Sequence, residues 1–285
     1  MIATRGPSPF FGDALASALA ERPGEVLVVE DGTSGIDEGT LAGARLLRLD
    51  RVGRSAARNT GVEAARMEFV AFLDDDDLAL PGRLERQRRS LREQDSPLSF
   101  GRVRVVDGEG HPLDAWNRLL ARRYRRLPIG GAGFADLLAS RCPIYTSATM
   151  VRRESFLAAG GYDPQLNWYE DLDLYLRLSQ LGPLVQCPGD PVAEYRLHGA
   201  NTPSERLYEG ALAVTAKHLP EARGRARRHL LDWRMDALWG LGRFGAVRRE
   251  AARAALRDPL LLTHPRFAKR LVGAALPALL LEARR

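Results

Sequence analysis

Two acidic clusters carry most of the chemistry this sequence could do. The first is Asp74, Asp75, Asp76 and Asp77, inside the stretch EFVAFLDDDDLALPGRLERQRRSLREQ that runs from residue 68 to 94. Four adjacent carboxylates in a tight turn repel one another, and such a run is tolerable when a cation or hydrogen-bond donors offset the charge. Hard divalent cations such as Mg2+ take oxygen ligands, often one or two carboxylates plus substrate phosphates. The second cluster is NWYEDLD, residues 167–173, where Glu170, Asp171 and Asp173 follow Trp168 and Tyr169. A carboxylate at the mouth of a buried helix, beside aromatic rings, suits a general base near a sugar. Each cluster also has a plain reading. The first is then a solvated loop capping the next helix. The second is then favourable charge at a helix N-terminus, with an Asp173–Arg177 pair at i,i+4.

Smaller signals surround these two. Glu30 and Asp31 follow the apolar run EVLVV at 25–29. They could accept hydrogen bonds from a ribose or base, or simply close a turn with Gly32. Arg54 and Arg58 are four apart on one helix face, an arrangement suited to a diphosphate or equally to a surface pair. His198 closes the last strand-like segment, where it either satisfies a local hydrogen bond or serves as a metal ligand.

The elements that must position these groups alternate. Phe69 to Leu73 has the length and composition of a buried strand, and Pro81 stands at the first turn of a helix continuing through Leu84, Gln87 and Leu91. The aspartates therefore sit at the carboxyl end of a strand, the usual ligand position in an open α/β sheet. Ahead of them come a strand stub at Met1–Ala3, a helix over 13–22, strands over 25–29 and 46–49, and a helix over 53–65. Asn59, Thr60 and Gly61 interrupt that helix. Gly in a helix costs about 1 kcal/mol against Ala, which a close approach to the sheet or to a ligand would explain. After residue 94 the spacing predicts a strand over 98–106, a hairpin turn over 107–110, a strand over 145–151, a short helix over 153–159 ended by Gly160-Gly161, and a strand over 191–197. Residues 114–141 give no clear pattern. The fold class is α/β: a mostly parallel, Rossmann-like sheet flanked by helices, with a helical C-terminal tail.

The 285 residues, 45% hydrophobic, suffice for one large domain and a smaller one. The first fifteen residues have no basic region followed by an apolar stretch, so no secretory leader is expected. No apolar run approaches the ~20 residues of a spanning helix. Cys142 and Cys187 match no metal or disulfide pattern, which fits buried thiols in a reducing cytoplasm. The net charge of +6 is unevenly spread: residues 1–210 hold 26 Lys+Arg against 30 Asp+Glu, and residues 211–285 hold 16 against 6. Arginine supplies 40 of the 42 basic residues, a bias that suits a GC-rich genome better than nucleic-acid binding. No zinc-finger spacing, basic zipper or aromatic RNA-binding motif occurs, so no nucleic-acid partner is expected.

Five segments in order resemble one family. They are VVEDG (28–32), ARNTG (57–61), FLDDDDLALP (72–81), GGYDPQLNWYEDLDLYLRL (160–178) and YRLHGANT (195–202). Together they are similar to the inverting nucleotide-sugar glycosyltransferases of family 2, bacterial type, which have the GT-A fold. The resemblance covers residues 1–205, a catalytic domain, and leaves 206–285 as a basic helical region.

It implies roles by match. Asp31, with Glu30 beside it, corresponds to the acid that binds the nucleoside. Asp74 and Asp76 flank the DxD motif, with Asp75 toward the ribose or sugar and Asp76 holding Mg2+ or Mn2+ against the diphosphate. Asp171 of the Glu170–Asp171 pair corresponds to the base that deprotonates the acceptor hydroxyl, and His198 to a histidine that approaches the metal in some relatives. Trp168 and Glu170 fall in the sugar-side motif, and Thr4 matches the turn residue after the first strand. That strand departs from the pattern, being reduced to Met1–Ala3. Either a start upstream or an altered edge of the nucleotide pocket accounts for it.

The implied activity is sugar transfer from a nucleoside-diphosphate sugar to a glycan or lipid-linked acceptor, in surface polysaccharide or glycolipid assembly. A non-catalytic sugar-nucleotide binding or scaffold protein on the same fold is the alternative. A nucleotidyltransferase is disfavoured, since no Gly-rich basic loop for a triphosphate stands near the N-terminus. In the tail, Phe267, Leu271, Val272, Ala275, Leu276, Leu279 and Leu280 recur at helical spacing beside Arg266, Lys269 and Arg270. That stripe packs on the catalytic domain or lies in the interface of an anionic membrane, which would place a cytoplasmic enzyme peripherally at the inner face of the cell membrane.

Overall fold

The structure is a computed structural model and describes residues 1–32, 35–128, 131–140, 144–198 and 204–257. In chain order its elements are β1 (Ile2–Thr4), α1 (Phe11–Ala20), β2 (Leu27–Asp31), β3 (Arg45–Leu49), α2 (Arg54–Ala64), β4 (Phe69–Ala71), β5 (Leu73–Asp74), β6 (Leu78–Ala79) and α3 (Arg83–Glu93). There follow β7 (Leu98–Phe100), β8 (Val103–Val106), α4 (Asp114–Tyr124), α5 (Phe134–Ser140), β9 (Thr149–Arg152), α6 (Arg153–Ala158), α7 (Glu170–Leu181), β10 (Val185–Gln186) and β11 (Ala193–Arg196). The last three are α8 (Ser204–His218), α9 (Gly224–Gly240) and α10 (Phe244–Arg257).

The chain divides into two compact units: Met1–Gln165 with Glu170–Asn201, and Leu166–Tyr169 with Thr202–Arg285. The first unit is a mixed α/β assembly. Its leading sheet has the order β3-β2-β1-β5 and is parallel throughout. Every residue of β2 is buried, as expected for a parallel strand covered on both faces. One face packs Ile2, Val28 and Leu73 against Phe11, Ala14 and Leu15 of α1, and the other packs Leu27 and Val29 against Ala57 of α2. The short β1 is thus central: Ile2 is fully buried and pairs with both Val28 and Leu73.

Two runs expected as single strands are each broken. Phe69 to Leu73 splits at Phe72, because Phe69–Ala71 joins the β10-β7-β9-β4 sheet whereas Leu73–Asp74 joins the leading one. Likewise residues 98–106 split into β7 and β8, the latter in a third sheet of order β6-β11-β8. Strands that change sheets leave carbonyls without ladder partners, and buried polar groups need partners. Polar side chains of α3 donate there, to some carbonyls as a second donor beside a backbone N–H, as at Thr149 and Ala148. The buried Arg83 donates to the Phe72 carbonyl at 2.7 Å and the Thr149 carbonyl at 3.0 Å. Gln87 donates to the Ser99 and Ala148 carbonyls. Burial lowers the Arg83 pKa to about 10, so it stays charged at neutral pH. The unreadable stretch 114–141 contains α4 and α5, and the expected strand over 145–151 begins with a 3-10 turn at Thr146–Ala148.

The interruption in α2 has a packing cause. A Cβ on Gly61 would come within 2.9 Å of Val29 Cγ2 and closer still to Met1 Sδ, so the glycine lets α2 approach β2 and β1. Asn59 uses its amide both ways on Tyr162, donating to its carbonyl and accepting from its N–H, each at 2.8 Å. Gly61→Ala should therefore destabilise the protein by about 1–3 kcal/mol through overpacking against the stiff Val29. Chemical denaturation checks this, and a wild-type midpoint would show that the helix has room to move.

The second unit packs α8, α9 and α10 together. Leu231 and Met235 of α9 meet Ala251 and Ala254 of α10. Leu238 also packs against Val247. Among the described residues no helix is long and apolar enough to cross a membrane. The apolar stripe expected over 267–280 and Cys142 lie outside the described residues. Cys187 is a buried free thiol.

Candidate active site

The four aspartates follow the end of β5, and each turns to a different partner. Asp74 Oδ1 accepts from Arg58 Nη2 at 2.6 Å, and its own N–H donates to the Ser147 hydroxyl at 2.9 Å. Asp75 Oδ2 accepts from the Thr4 hydroxyl at 2.7 Å and from the Ser8 N–H at 3.0 Å. Asp76 Oδ2 lies 2.8 Å from His198 Nε2. Asp77 is buried, and its Oδ1 accepts from the Arg196 N–H at 2.9 Å. Each carboxylate thereby gains at least one hydrogen-bond partner, while Asp77 Oδ2 is buried with none. Burial nevertheless pushes the Asp75 pKa up, helped by the charges of Asp76 and Asp74 and opposed by Thr4 and Ser8. Burial and the same two neighbours, Asp74 and Asp76, raise Asp77 well above the usual carboxylate range.

Arg196 braces this loop from β11. Its Nε donates to the Asp76 carbonyl at 3.1 Å and its Nη1 to the Gly108 carbonyl at 3.0 Å, while its guanidinium stacks 4.2 Å above the Phe10 ring. Phe10 also lies against His198, ring centres 6.0 Å apart. Ser8, Ser147 and Arg196 are therefore part of the constellation without having been singled out from sequence, whereas Asp77 was named there as the fourth carboxylate of the run. Only Arg196 left a signal, two residues before His198. The serines lie in unremarkable loops.

Asp31 and Glu30 are both buried at the end of β2. Asp31 Oδ1 and Oδ2 accept from the N–H groups of Val52 and Gly53, at 2.6 and 2.8 Å. They fasten the start of α2, where Gly53 takes φ +93°, a conformation that favours glycine. Glu30 accepts from the Ile36 N–H at 3.0 Å and from Arg48, closing the loop after β2.

Arg54 and Arg58 share a helix face, as their spacing requires, but that face points at Glu170. Arg54 Nη1 is 3.1 Å and Arg58 Nη1 3.3 Å from Glu170 Oε1. Burial works against the Arg58 charge, yet Asp74, Tyr162 and Glu170 outweigh it and hold the guanidinium firmly protonated. In the structure the Arg58 guanidinium donates to two carboxylates, Asp74 and Glu170. Arg54 keeps about half of its side-chain surface exposed.

Asp171 follows Glu170 in the first turn of α7. It is partly buried and its Oδ1 accepts from the Leu172 N–H at 2.7 Å. Burial, then the adjacent Glu170 charge, push its pKa up to about 6, against the pull of the Leu172 N–H and Arg58. A carboxylate poised there is a competent proton acceptor near neutral pH. Asp173 takes its plain role, pairing with Arg177 at 2.7 Å. Trp168 belongs to the second unit, where its Cβ lies close to Gly210.

For a divalent cation, the fitting pair is Asp76 with His198. Ligand atoms about 2.1 Å from an octahedral ion and adjacent around it stand about 3 Å apart, and Asp76 Oδ2 and His198 Nε2 are 2.8 Å apart. Asp107, Glu109 and His111 also gather ligand atoms within 4.8 Å of one another, but on a surface turn that Asp107 closes by accepting from the Glu109 and His111 N–H groups.

The chain is similar in sequence and in fold to several known proteins. The amylovoran biosynthesis glycosyltransferase AmsE of Erwinia amylovora is 28% identical over 138 residues, 48% of each chain. The pre-mycofactocin glycosyltransferase of Mycobacterium tuberculosis is 32% identical over 176 residues, 59% of this chain and 36% of the relative. The succinoglycan biosynthesis protein ExoO of Rhizobium meliloti is 32% identical over 124 residues, 41% and 36% of the two chains. The chain thus spans less than half the length of these relatives. In fold it is similar to S. aureus TarS 1-349 in complex with UDP, with TM-score 0.59 and 16% identity over 84% of this chain and 69% of that one. The same TarS fragment in complex with UDP-GlcNAc gives 0.60 and 15% over 96% and 78%. Residues 2–158 match the profile of glycosyl transferase family 2, and the chain belongs to that family.

Proposed function

We propose that this protein is a metal-dependent, inverting glycosyltransferase that moves a sugar from a nucleoside-diphosphate sugar to an acceptor hydroxyl. The observation that carries this reading is the continuity of the two acidic clusters: Arg58 joins Asp74 to Glu170, the residue before Asp171. A donor loop and a proton acceptor then belong to one rigid network.

In this reading Asp31 and Glu30 shape the nucleoside end, Thr4 and Asp75 face the ribose or sugar, and Asp76 and His198 hold Mg2+ or Mn2+. When bound, the dication offsets the negative charge that grows on the departing diphosphate. Asp171 removes the proton from the acceptor hydroxyl. The acceptor oxygen then bonds to the anomeric carbon as the bond from that carbon to the diphosphate oxygen breaks, on the opposite face, with inversion. The proton rests on the Asp171 carboxylate and the electron pair leaves with the nucleoside diphosphate.

The UDP and UDP-GlcNAc complexes of TarS favour a UDP-sugar donor. The names of AmsE and ExoO favour a glycan acceptor in surface polysaccharide assembly. A thermal-shift panel of nucleoside diphosphates with Mn2+, Mg2+ or chelator tests the donor site. Ligand at ~100 Kd adds about 2.7 kcal/mol to stability. UDP is expected to stabilise only with metal; stabilisation unaffected by chelator would remove the metal.

We also place the protein at the inner face of the cell membrane, in peripheral contact, so that a lipid-linked acceptor is within reach. Sixteen basic against six acidic residues in 211–285 support this. Each basic residue that reaches an anionic surface contributes about 1 kcal/mol, and three or four such contacts suffice for reversible binding. Co-sedimentation with anionic but not neutral vesicles, weakening as salt rises, is the expected result. No binding to anionic vesicles at low salt would leave the basic region as packing.

A further inference from the structure

Arg58 stands where the two acidic clusters meet, and its buried guanidinium is turned to a carboxylate of each. Its guanidinium is buried and held by Asp74 Oδ1 at 2.6 Å, Glu170 Oε1 at 3.3 Å and the Tyr162 ring at 5.4 Å. Glu170 is buried as well, and takes Arg54 from the preceding turn of α2 on the same oxygen. Next along the chain, Asn59 clamps the Tyr162 main chain in both directions. Two consecutive residues of α2 therefore fasten three things together: the first aspartate of the loop, the segment leading toward α7, and the first residue of α7.

We propose that Arg58 is a positioning residue, which sets the Asp171 carboxylate relative to the aspartate loop by bridging Asp74 and Glu170, and that it does not bind the diphosphate. This rests on the reading of Asp171 as the base. Asp171 interacts electrostatically with the carboxylates of Glu170 and Asp74, the guanidinium of Arg58 and the phenols of Tyr162 and Tyr175. Arg58 favours its ionised form and Glu170 opposes it, so the bridge also balances the charge around the base.

The test uses the full chain with R58K, R58M, E170Q and D171N. UDP binding with Mn2+ is measured by calorimetry, and nucleoside diphosphate release from a UDP-sugar is followed against pH. In R58M, UDP affinity should be little changed while kcat falls about 10–100-fold, the scale of a small misplacement of reacting groups. R58K should recover part of that loss. The acid limb of the pH profile should move to higher pH in R58M, to lower pH in E170Q, and little in R58K, which keeps the positive charge. Opposite shifts in R58M and E170Q are not expected of side chains that only support the fold, and E170Q preserves shape should R58M fold poorly.

A tenfold or greater loss of UDP affinity in R58M, with kcat kept at saturating donor, would make Arg58 a diphosphate ligand and overturn the proposal. Acid limbs that stay put in R58M and E170Q, while D171N loses turnover, would overturn the proposal alone. Turnover retained in D171N would overturn the assignment of the base, and this proposal with it.

Discussion

Asp171→Asn is expected to keep donor binding and to lose turnover by about 10²–10⁴-fold, the weight of a general base. The amide preserves the size of the side chain but cannot take the acceptor proton. The wild-type pH profile should carry the matching signature. Burial and the Glu170 charge raise the Asp171 pKa to about 6, so activity should be full above about pH 7 and fall as pH drops through about 6. An ordinary aspartate would keep the enzyme active about two pH units lower. Steady-state turnover at saturating donor and acceptor checks both effects. Near-normal turnover in the variant would return Asp171 to a helix-terminus role.

Asp76→Ala should weaken metal-dependent donor binding, lowering UDP–Mn2+ affinity by tenfold or more, about 1.4 kcal/mol for each factor of ten. The side chain contacts only His198 in the described structure, and both are partly exposed. The loop is fastened by groups the variant keeps: the Asp75 and Asp77 carboxylates and the Asp76 carbonyl that receives Arg196. Stability without ligand should therefore stay within about 0.5 kcal/mol of wild type. Calorimetry with UDP and Mn2+ reads the loss, and wild-type affinity would show that the metal sits elsewhere.

The α/β class was legible because strand-length apolar runs alternate with helical spacing as far as Pro81, and the leading parallel sheet with α1 and α2 on its two faces bears this out. Legibility ended where the chain changes sheets. Phe72 reads as one more apolar residue in a run, and nothing local records that Arg83, eleven residues on, receives its carbonyl. The spacing of Arg54 and Arg58 placed them on one face but could not say what that face meets, since Glu170 is 112 residues beyond Arg58. The crowding of four aspartates posed the question of what offsets them. The answer lies in Thr4, Ser8, Arg58, Arg196 and His198, contributed by segments at both ends of the catalytic motifs. Gly61 was the opposite case: a residue unfavourable in its helix pointed directly to a close approach, and the sheet is what it approaches.

The most direct test of sugar transfer by this constellation is nucleoside diphosphate release from a panel of nucleoside-diphosphate sugars, with Mn2+ or with chelator, in wild type and Asp171→Asn. Release from at least one donor that requires metal, and that the variant loses while still binding UDP, is the predicted result. Tight UDP binding by both proteins with no release from any donor, whatever glycan acceptor is supplied, would contradict it and leave a sugar-nucleotide binding protein on a glycosyltransferase fold.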